Sequence, residues 1–519
     1  LGRSHRSALT FFTSGIWYAT MMVASLVATP LVLRWLGQDR YGAYLYALQW
    51  LGYLALLEFG LSTAIMPLLV KFHENAEKRN DAMGVAFRAW RLVTVANLLG
   101  SMLIIAIVPL SVKGDIALRG DMRLGLLIVM ASVVLVPLAP LRSLLESSQR
   151  GYLVIAGLIV QSGLTTGLGV LAAWLTYHFH LAWGISGQFV AIVAGNATFQ
   201  LIIVWHAWRR FPGVIRQVLA TRADPQMHAE LHRTSGAAFA LQASNQIGLL
   251  TDVIVIGSML GPALVVPFSI TQRLINIGQG QLKNIGTSVW AALADLHAKG
   301  EHAVFNHRML SLGRLIVVLG LAAMVPIAAY DRPFVEKWVG AKEFGGETLT
   351  MLACLNSILF ALMNLWEMTF NATGHVQARV PVAIVSGIVN LAASILCTLA
   401  FGLIGPVLGT TIAFVGINLW WYPRLLQKIY SIPQSSLFGS LSKPLVTGLP
   451  YGGAVWWWAH SHTPWGWIGL STEMAVTGLV YLGIAWLLVF NAEDREFMRY
   501  RFGPRRWRLR SPPPEAQAP

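Results

Sequence analysis

Residues Gln242–Asn284 read QASNQIGLLTDVIVIGSMLGPALVVPFSITQRLINIGQGQLKN. The stretch spells two apolar helices joined by a tight turn at Leu260-Gly261-Pro262. Set within the apolar text are Asp252, Arg273 and Lys283. A charge at the centre of a membrane helix costs about 2.5–3.5 kcal/mol. Such side chains therefore face a bundle interior or a water-filled cavity, and they mark function. On the second helix Arg273, Asn276, Gly280, Lys283 and Asn284 fall within an arc of about 100° at 3.6 residues per turn. On the first, Gln242, Asn245 and Asp252 share a face. Two polar stripes on adjacent helices predict one wet, positively charged cavity, with Gln242, Asn245, Arg273, Asn276 and Lys283 as its binding residues.

Working outward, 55% of the 519 residues are hydrophobic and only 12% are charged, against about 25% charged in an average soluble domain. Many apolar runs reach about 20 residues, the length that crosses a bilayer core. A barrel would show alternating segments of about ten residues instead. The fold class is therefore all-α and polytopic. Cys354 and Cys397 both lie in apolar runs and read as small core residues. No metal or redox spacing exists, and no cofactor is expected.

Fourteen spans can be read: 11–33, 44–69, 92–112, 124–145, 153–177, 182–205, 236–260, 263–293, 315–330, 349–370, 380–401, 403–422, 445–460 and 469–490. The first is too long for a signal-peptide core and reads as a retained helix. With the N-terminus in the cytoplasm, 27 of the 38 Lys and Arg fall inside and 8 outside, the bias expected of membrane proteins. Both ends are then cytoplasmic. The net charge of +15 reports orientation rather than nucleic-acid binding. The organisation is an N-terminal six-helix bundle over 1–210, a basic cytoplasmic linker over 211–235, a second six-helix bundle over 236–425, two further transmembrane helices over 426–492 and a basic, Pro-rich tail over 493–519. The basic part of the tail suits anionic lipid. Every loop is short, which leaves no room for a soluble catalytic domain.

A shift of 224 residues brings out an internal repeat. Leu36-Gly37, after the first span, lands on Leu260-Gly261, after the seventh. The segment 146–150, after the fourth, lands on 370–374, after the tenth. Each half then has six spans in the same order and orientation. Such repeats are common in transporters, with substrate near the midplane at the repeat interface.

The segments Leu33-Arg34-Trp35-Leu36-Gly37, Tyr41-Gly42-Ala43-Tyr44 and Glu58-Phe59-Gly60-Leu61 resemble the opening of bacterial polysaccharide (Wzx-type) flippases, of the multidrug/oligosaccharidyl-lipid/polysaccharide exporter superfamily. The second half adds Asp252-Val253-Ile254-Val255-Ile256-Gly257, Gly374-His375, Asn390-Leu391 and Gly402 with Gly405-Pro406 and Gly409-Thr410. The resemblance covers about residues 10–425. It implies a fold like that of MATE drug exporters and movement of undecaprenyl-pyrophosphate-linked oligosaccharide from the inner to the outer leaflet of the bacterial inner membrane by alternating access. Glu58 stands where the family usually has Asp.

The charges can be placed by depth at about 1.5 Å per residue. Asp252 and Arg273 come out near mid-membrane, either as a structural ion pair or with Arg273 on the substrate's phosphates and Asp252 as its partner when empty. A guanidinium suits phosphate because its planar donors bind two oxygens at once. Lys283 lies near the cytoplasmic edge, where snorkelling is the plain alternative. Glu58 is carried by the repeat onto position 282, beside Lys283, which suggests a cytoplasmic gate formed by this pair. Glu367 shares a stripe with Asn356, Asn364 and Asn371. Carboxylates in a membrane cavity can couple transport to protons or sodium, and helix packing is the alternative. Asp252, Glu58 and Glu367 are thus the gating or ion-coupling candidates. No Walker sequence is present.

The reading is a non-enzymatic flippase for a lipid-linked anionic glycan precursor such as an O-antigen, capsule or exopolysaccharide repeat unit. Its partners would be the polyprenyl-pyrophosphate-linked oligosaccharide, the bilayer, and a polymerase and glycosyltransferases. The rivals are a cation-coupled drug exporter of the same fold, a membrane polysaccharide polymerase or ligase, and a non-transporting scaffold.

Overall fold

The computed structural model describes residues 3–72, 75–112, 114–211, 236, 239, 241–243, 246, 248, 250–491 and 494–495. Asn245 lies outside them. The described residues are helical throughout, with no strand among them. They hold nine helical stretches long and apolar enough to cross a membrane, two of them, Thr13–Glu58 and Val376–Tyr430, long enough to carry two crossings each. The protein is a multi-pass membrane protein.

Helix α1 (Arg3–Gly52) joins the first predicted span to the start of the second and is broken only at Gly37 (φ 78°). The second span is not one helix. A 3₁₀ turn (Tyr53–Glu58) follows, then Phe59 and Gly60 in left-handed conformations, then α2 (Leu61–Lys71). The break falls on the Glu58-Phe59-Gly60-Leu61 motif. Helix α3 (Ala76–Ser111) is capped by the Asn75 side chain on Lys78 N (3.1 Å), and α4 (Ile116–Ala131) by Asp115 on Leu118 N (2.7 Å). The fourth span breaks likewise: after α4 comes a 3₁₀ segment (Ser132–Leu138) holding Pro137, and then α5 (Ala139–Ser147). Helices α6 (Gly151–His178) and α7 (Gly184–Arg210) follow.

The opening stretch resolves into α8 (Leu250–Met259) and α9 (Pro262–Ser288), with Gly261 at φ 110° between them. Then come α10 (Trp290–Ala298), α11 (His302–Trp338), α12 (Glu347–Ala372) and α13 (Val376–Phe401). The twelfth span is α14 (Gly405–Ala413), a π-turn (Phe414–Asn418) and α15 (Leu419–Tyr430). Helices α16 (Gln434–Ser461) and α17 (Gly466–Leu488) complete the described chain. The segment 331–348, expected as an external loop, is instead largely helical. Helix α11 runs on to Trp338, and Asp331 is fully buried, accepting the Thr350 hydroxyl at 3.0 Å.

Contacts group the chain into two compact units, residues 1–269 with 387–409, and residues 270–386 with 410–519. Helices α9 and α13 each run from one unit into the other, so the grouping does not follow the 235/236 boundary. In the first unit a core of Ile65, Leu69, Met83, Trp90, Leu141 and Leu144 fixes α2, α3 and α5. There α1 also meets the α8–α9 turn at van der Waals closeness. A Cβ on Gly42 would lie 1.9 Å from Pro262 O, and one on Gly257 2.1 Å from the Tyr46 ring. Two glycines of the family-like motifs are thus contact residues, where any side chain would force helices apart.

The repeat is visible in backbone detail. Gly37 and Gly261, 224 positions apart, both have positive φ. Gln149 N bonds to Glu146 O and Arg150 N to Leu145 O. Gly374 N to Asn371 O and His375 N to Phe370 O repeat that turn at an offset of 225 (374 − 149). Thr176 donates to Ala172 O, and Thr398 to Ser394 O, at an offset of 222 (398 − 176).

Candidate functional site

In the second unit the expected amphipathic stripe of α9 is present. Thr271, Ile275, Leu282 and Gly286 are buried. Thr271 Oγ1 accepts from Gly345 N at 2.7 Å, and a Cβ on Gly286 would lie 2.9 Å from Asn364 Oδ1. The opposite side carries the polar set: Asn276, Gly280, Lys283 and Asn284 are exposed and Arg273 is half-buried. Arg273 makes no hydrogen bond or ion pair with any described residue. Among the described residues Lys283 reaches the Phe360 ring, its Nζ 5.9 Å from the centroid.

In the first unit, Gln242 and Gln246 do backbone work. Where α1 gives way to the 3₁₀ turn, Gln246 Nε2 donates to Gly52 O (3.3 Å) and Gln242 Nε2 to Ala55 O (3.0 Å). These bonds tie the turn to a segment distant in sequence. Glu58 closes the same turn and accepts the Ser62 hydroxyl. Asp252 keeps a buried Oδ1 with no hydrogen-bond partner among the described residues.

Glu367 sits in a structured cluster of the second unit. Arg379 Nη1 lies 2.8 Å from Glu367 Oε2, and the Tyr422 hydroxyl donates to Oε1 at 2.8 Å. The carboxylate thus joins α12, α13 and α15. The stripe around it pairs at a constant separation of 55: Asn356 with Thr411, Met363 with Asn418, Glu367 with Tyr422. Sequence reading missed Arg379 because it stands one residue ahead of its span and was counted as a loop cation. The signal was there, since Glu367 and Arg379 lie six residues on either side of Thr373, at the turn between antiparallel helices.

At the end of the second unit that the charge bias places outside, Arg332, Glu336, Glu347 and His460 form one ion network. Nearby, His462 Nε2 lies 3.0 Å from Glu473 Oε2. The Glu473 carboxylate raises the His462 pKa above its ordinary value. A raised folded-state value means the pair's contribution is complete below about pH 6.5 and is lost as pH rises through the higher folded value. Thermal unfolding followed from pH 5.5 to 8.5 should therefore show a fall that Glu473→Gln flattens.

Long apolar helices define a multi-pass membrane protein. The chain belongs to the family described as polysaccharide biosynthesis protein, whose sequence model matches residues 10–291. Its fold is that of a lipid II flippase MurJ in an inward closed conformation, with TM-score 0.65, 13% identity, and 93% of this chain and 98% of that one covered. It is also similar to the eukaryotic MATE transporter AtDTX14 (TM-score 0.56, 14% identity, 86% and 100% covered). An inward-facing multidrug resistance MATE transporter of the MOP superfamily shares it too (0.54, 13%, 80% and 99%). No curated protein sequence matches the chain.

Proposed function

We propose that the chain is a flippase moving a polyprenyl-pyrophosphate-linked oligosaccharide across the bacterial inner membrane by alternating access, with both termini cytoplasmic. The observation that carries this reading is Arg273, a half-buried cation on a membrane-length helix that no described residue neutralises, in a chain of the polysaccharide biosynthesis family. Arg273 holds the phosphates through its forked donors, Asn276 adds hydrogen bonds, and Lys283 supplies positive charge further along the exposed stripe. The likeness in fold to a lipid II flippase supports the same class. No bond is made or broken, so no catalytic residue is assigned.

The test is reconstitution into vesicles carrying a lipid-linked oligosaccharide on one leaflet, with appearance on the other followed by lectin capture. Arg273→Ala should slow translocation at least about tenfold, because a hydrogen bond to a charged group is worth about 1.5–3 kcal/mol and 1.4 kcal/mol is a factor of ten. Arg273→Lys should recover part of it. A cation-coupled drug exporter would instead move organic cations, indifferent to Arg273→Ala, and a scaffold would move nothing.

A further inference from the structure

The first unit carries an open-sided cavity of about 430 Å³ whose walls include Trp50, Tyr53, Ile254, Met259, Leu391 and Ile395. Its size falls in the range of ligand sites, about 300–1,000 Å³. Its chemistry is narrow. The Tyr53 hydroxyl is bonded to Thr251 Oγ1 at 2.7 Å, and the Ser258 hydroxyl donates to Ile254 O of its own helix at 2.7 Å. All three wall hydroxyl groups, of Tyr53, Thr251 and Ser258, are thus already engaged. Trp50 keeps a buried Nε1–H with no partner among the described residues, and the remaining walls are aliphatic. A sugar or phosphate needs several convergent polar groups, which these walls do not supply.

The rim shows where an occupant enters. Leu391 and Ile395 belong to α13 and are 37% and 38% exposed. The same helix continues outward as Ile388, Leu396 and Leu399, exposed by 62%, 65% and 71%. An apolar helix with such exposure in a multi-pass membrane protein faces lipid, so the cavity is continuous with the hydrocarbon of the bilayer. A hydrocarbon chain can slide in without leaving an apolar medium.

Resting on the flippase reading above, we propose that this cleft between α1, α8 and α13 holds the polyprenyl chain of the transported lipid. A translocated lipid must keep its chain in hydrocarbon while its head crosses a polar path. Helix α8 presents the cleft wall with Ile254, Ser258 and Met259 while carrying Asp252 a turn away. One helix thus offers an apolar seat beside a polar residue. Tyr53 places the cleft at the 3₁₀ break of the second span.

The test uses full-length protein in phospholipid nanodiscs with a diazirine-bearing polyprenyl phosphate. Crosslinks should fall on the peptides holding Trp50–Tyr53 and Thr251–Met259. Unlabelled polyprenyl phosphate should displace them, and added phosphatidylethanolamine should not. Ile254→Trp, which fills the cavity, and Leu391→Trp, which closes its lipid-facing mouth, should each weaken that competition about tenfold or more. Two variants from different walls guard against misfolding of either. Equal displacement by phosphatidylethanolamine would mean an ordinary bilayer lipid sits there and would overturn the proposal, as would crosslinks elsewhere or two silent variants. Translocation with misplaced crosslinks would sink the cleft alone. Correct crosslinks without translocation would sink the transport reading and leave polyprenyl binding standing.

Discussion

Arg379→Met is expected to destabilise the protein by about 3–5 kcal/mol, the loss seen when one member of a buried ion pair is removed and the other is stranded. The Arg379 side chain is 9% exposed and that of Glu367 22%. Arg379 already keeps a buried Nε with no partner, so the guanidinium depends on Glu367 for its neutralisation. Glu367→Gln should cost about as much, since an amide still accepts from Tyr422 but leaves the more buried Arg379 guanidinium without its counter-charge. Removing both charges should bring stability back to within about 1 kcal/mol of the parent, because apolar replacement of a whole buried pair is often neutral. The cycle is read by unfolding in mixed micelles, and a coupling energy near zero would remove the lock. It also bears on ion coupling. A carboxylate whose task is to carry a proton or sodium ion loses transport in Glu367→Gln with stability little changed. A lock joining α12, α13 and α15 loses stability first and regains transport in the double variant.

The fold was legible wherever membrane physics acts on composition. Apolar length alone marks the spans, and the predicted turn at Leu260-Gly261-Pro262 appears with Gly261 at positive φ. What was not legible is where helices stop inside a span. Tyr53–Gly60 and Ser132–Leu138 are as apolar as their flanks, so hydropathy reads straight through them. The first of them is tied to a segment distant in sequence, where Gln242 and Gln246 donate to the carbonyls of Ala55 and Gly52. A polar residue in a span is therefore ambiguous. Gln242 reads as a binding residue by its face, and in the structure its amide bonds to the 3₁₀ turn.

The charges divide along the same line. Arg273 and Lys283 were found because a cation in apolar text is conspicuous, and both stand on the exposed side of α9. Arg379, Asp331 and Asp121 were passed over because each lies at the margin of a span, where a charge is cheap if it faces water. Their burial depends on which helix end packs above them, and one-dimensional spacing carries no trace of that.

Asp121 carries the second large effect. Its carboxylate, 7% exposed, accepts from Ile185 N (2.7 Å), Ser186 N (3.0 Å) and the Ser186 hydroxyl (2.7 Å). Those two amides belong to the first turn of α7, where N–H groups have no partner within the helix and the helix dipole favours an anion. Asp121→Ala would leave both donors buried and unpaired, at about 1–3 kcal/mol each, so a loss of about 3–5 kcal/mol is expected. The seam that α7 makes with α6 has no slack to absorb a shift. A Cβ on Gly195 would lie 2.1 Å from Thr165 Oγ1, and Gln188 Nε2 must reach Gly169 O at 2.7 Å. Asp121→Asn, which keeps one acceptor oxygen and turns an NH₂ group toward the other donor, should cost about half as much. Hydrogen exchange separates this from general loosening. In Asp121→Ala the amides of residues 185 and 186 should exchange faster than those in the middle of α7. If all of α7 loosens equally, or those two amides stay protected, then the carboxylate is not what holds the helix start.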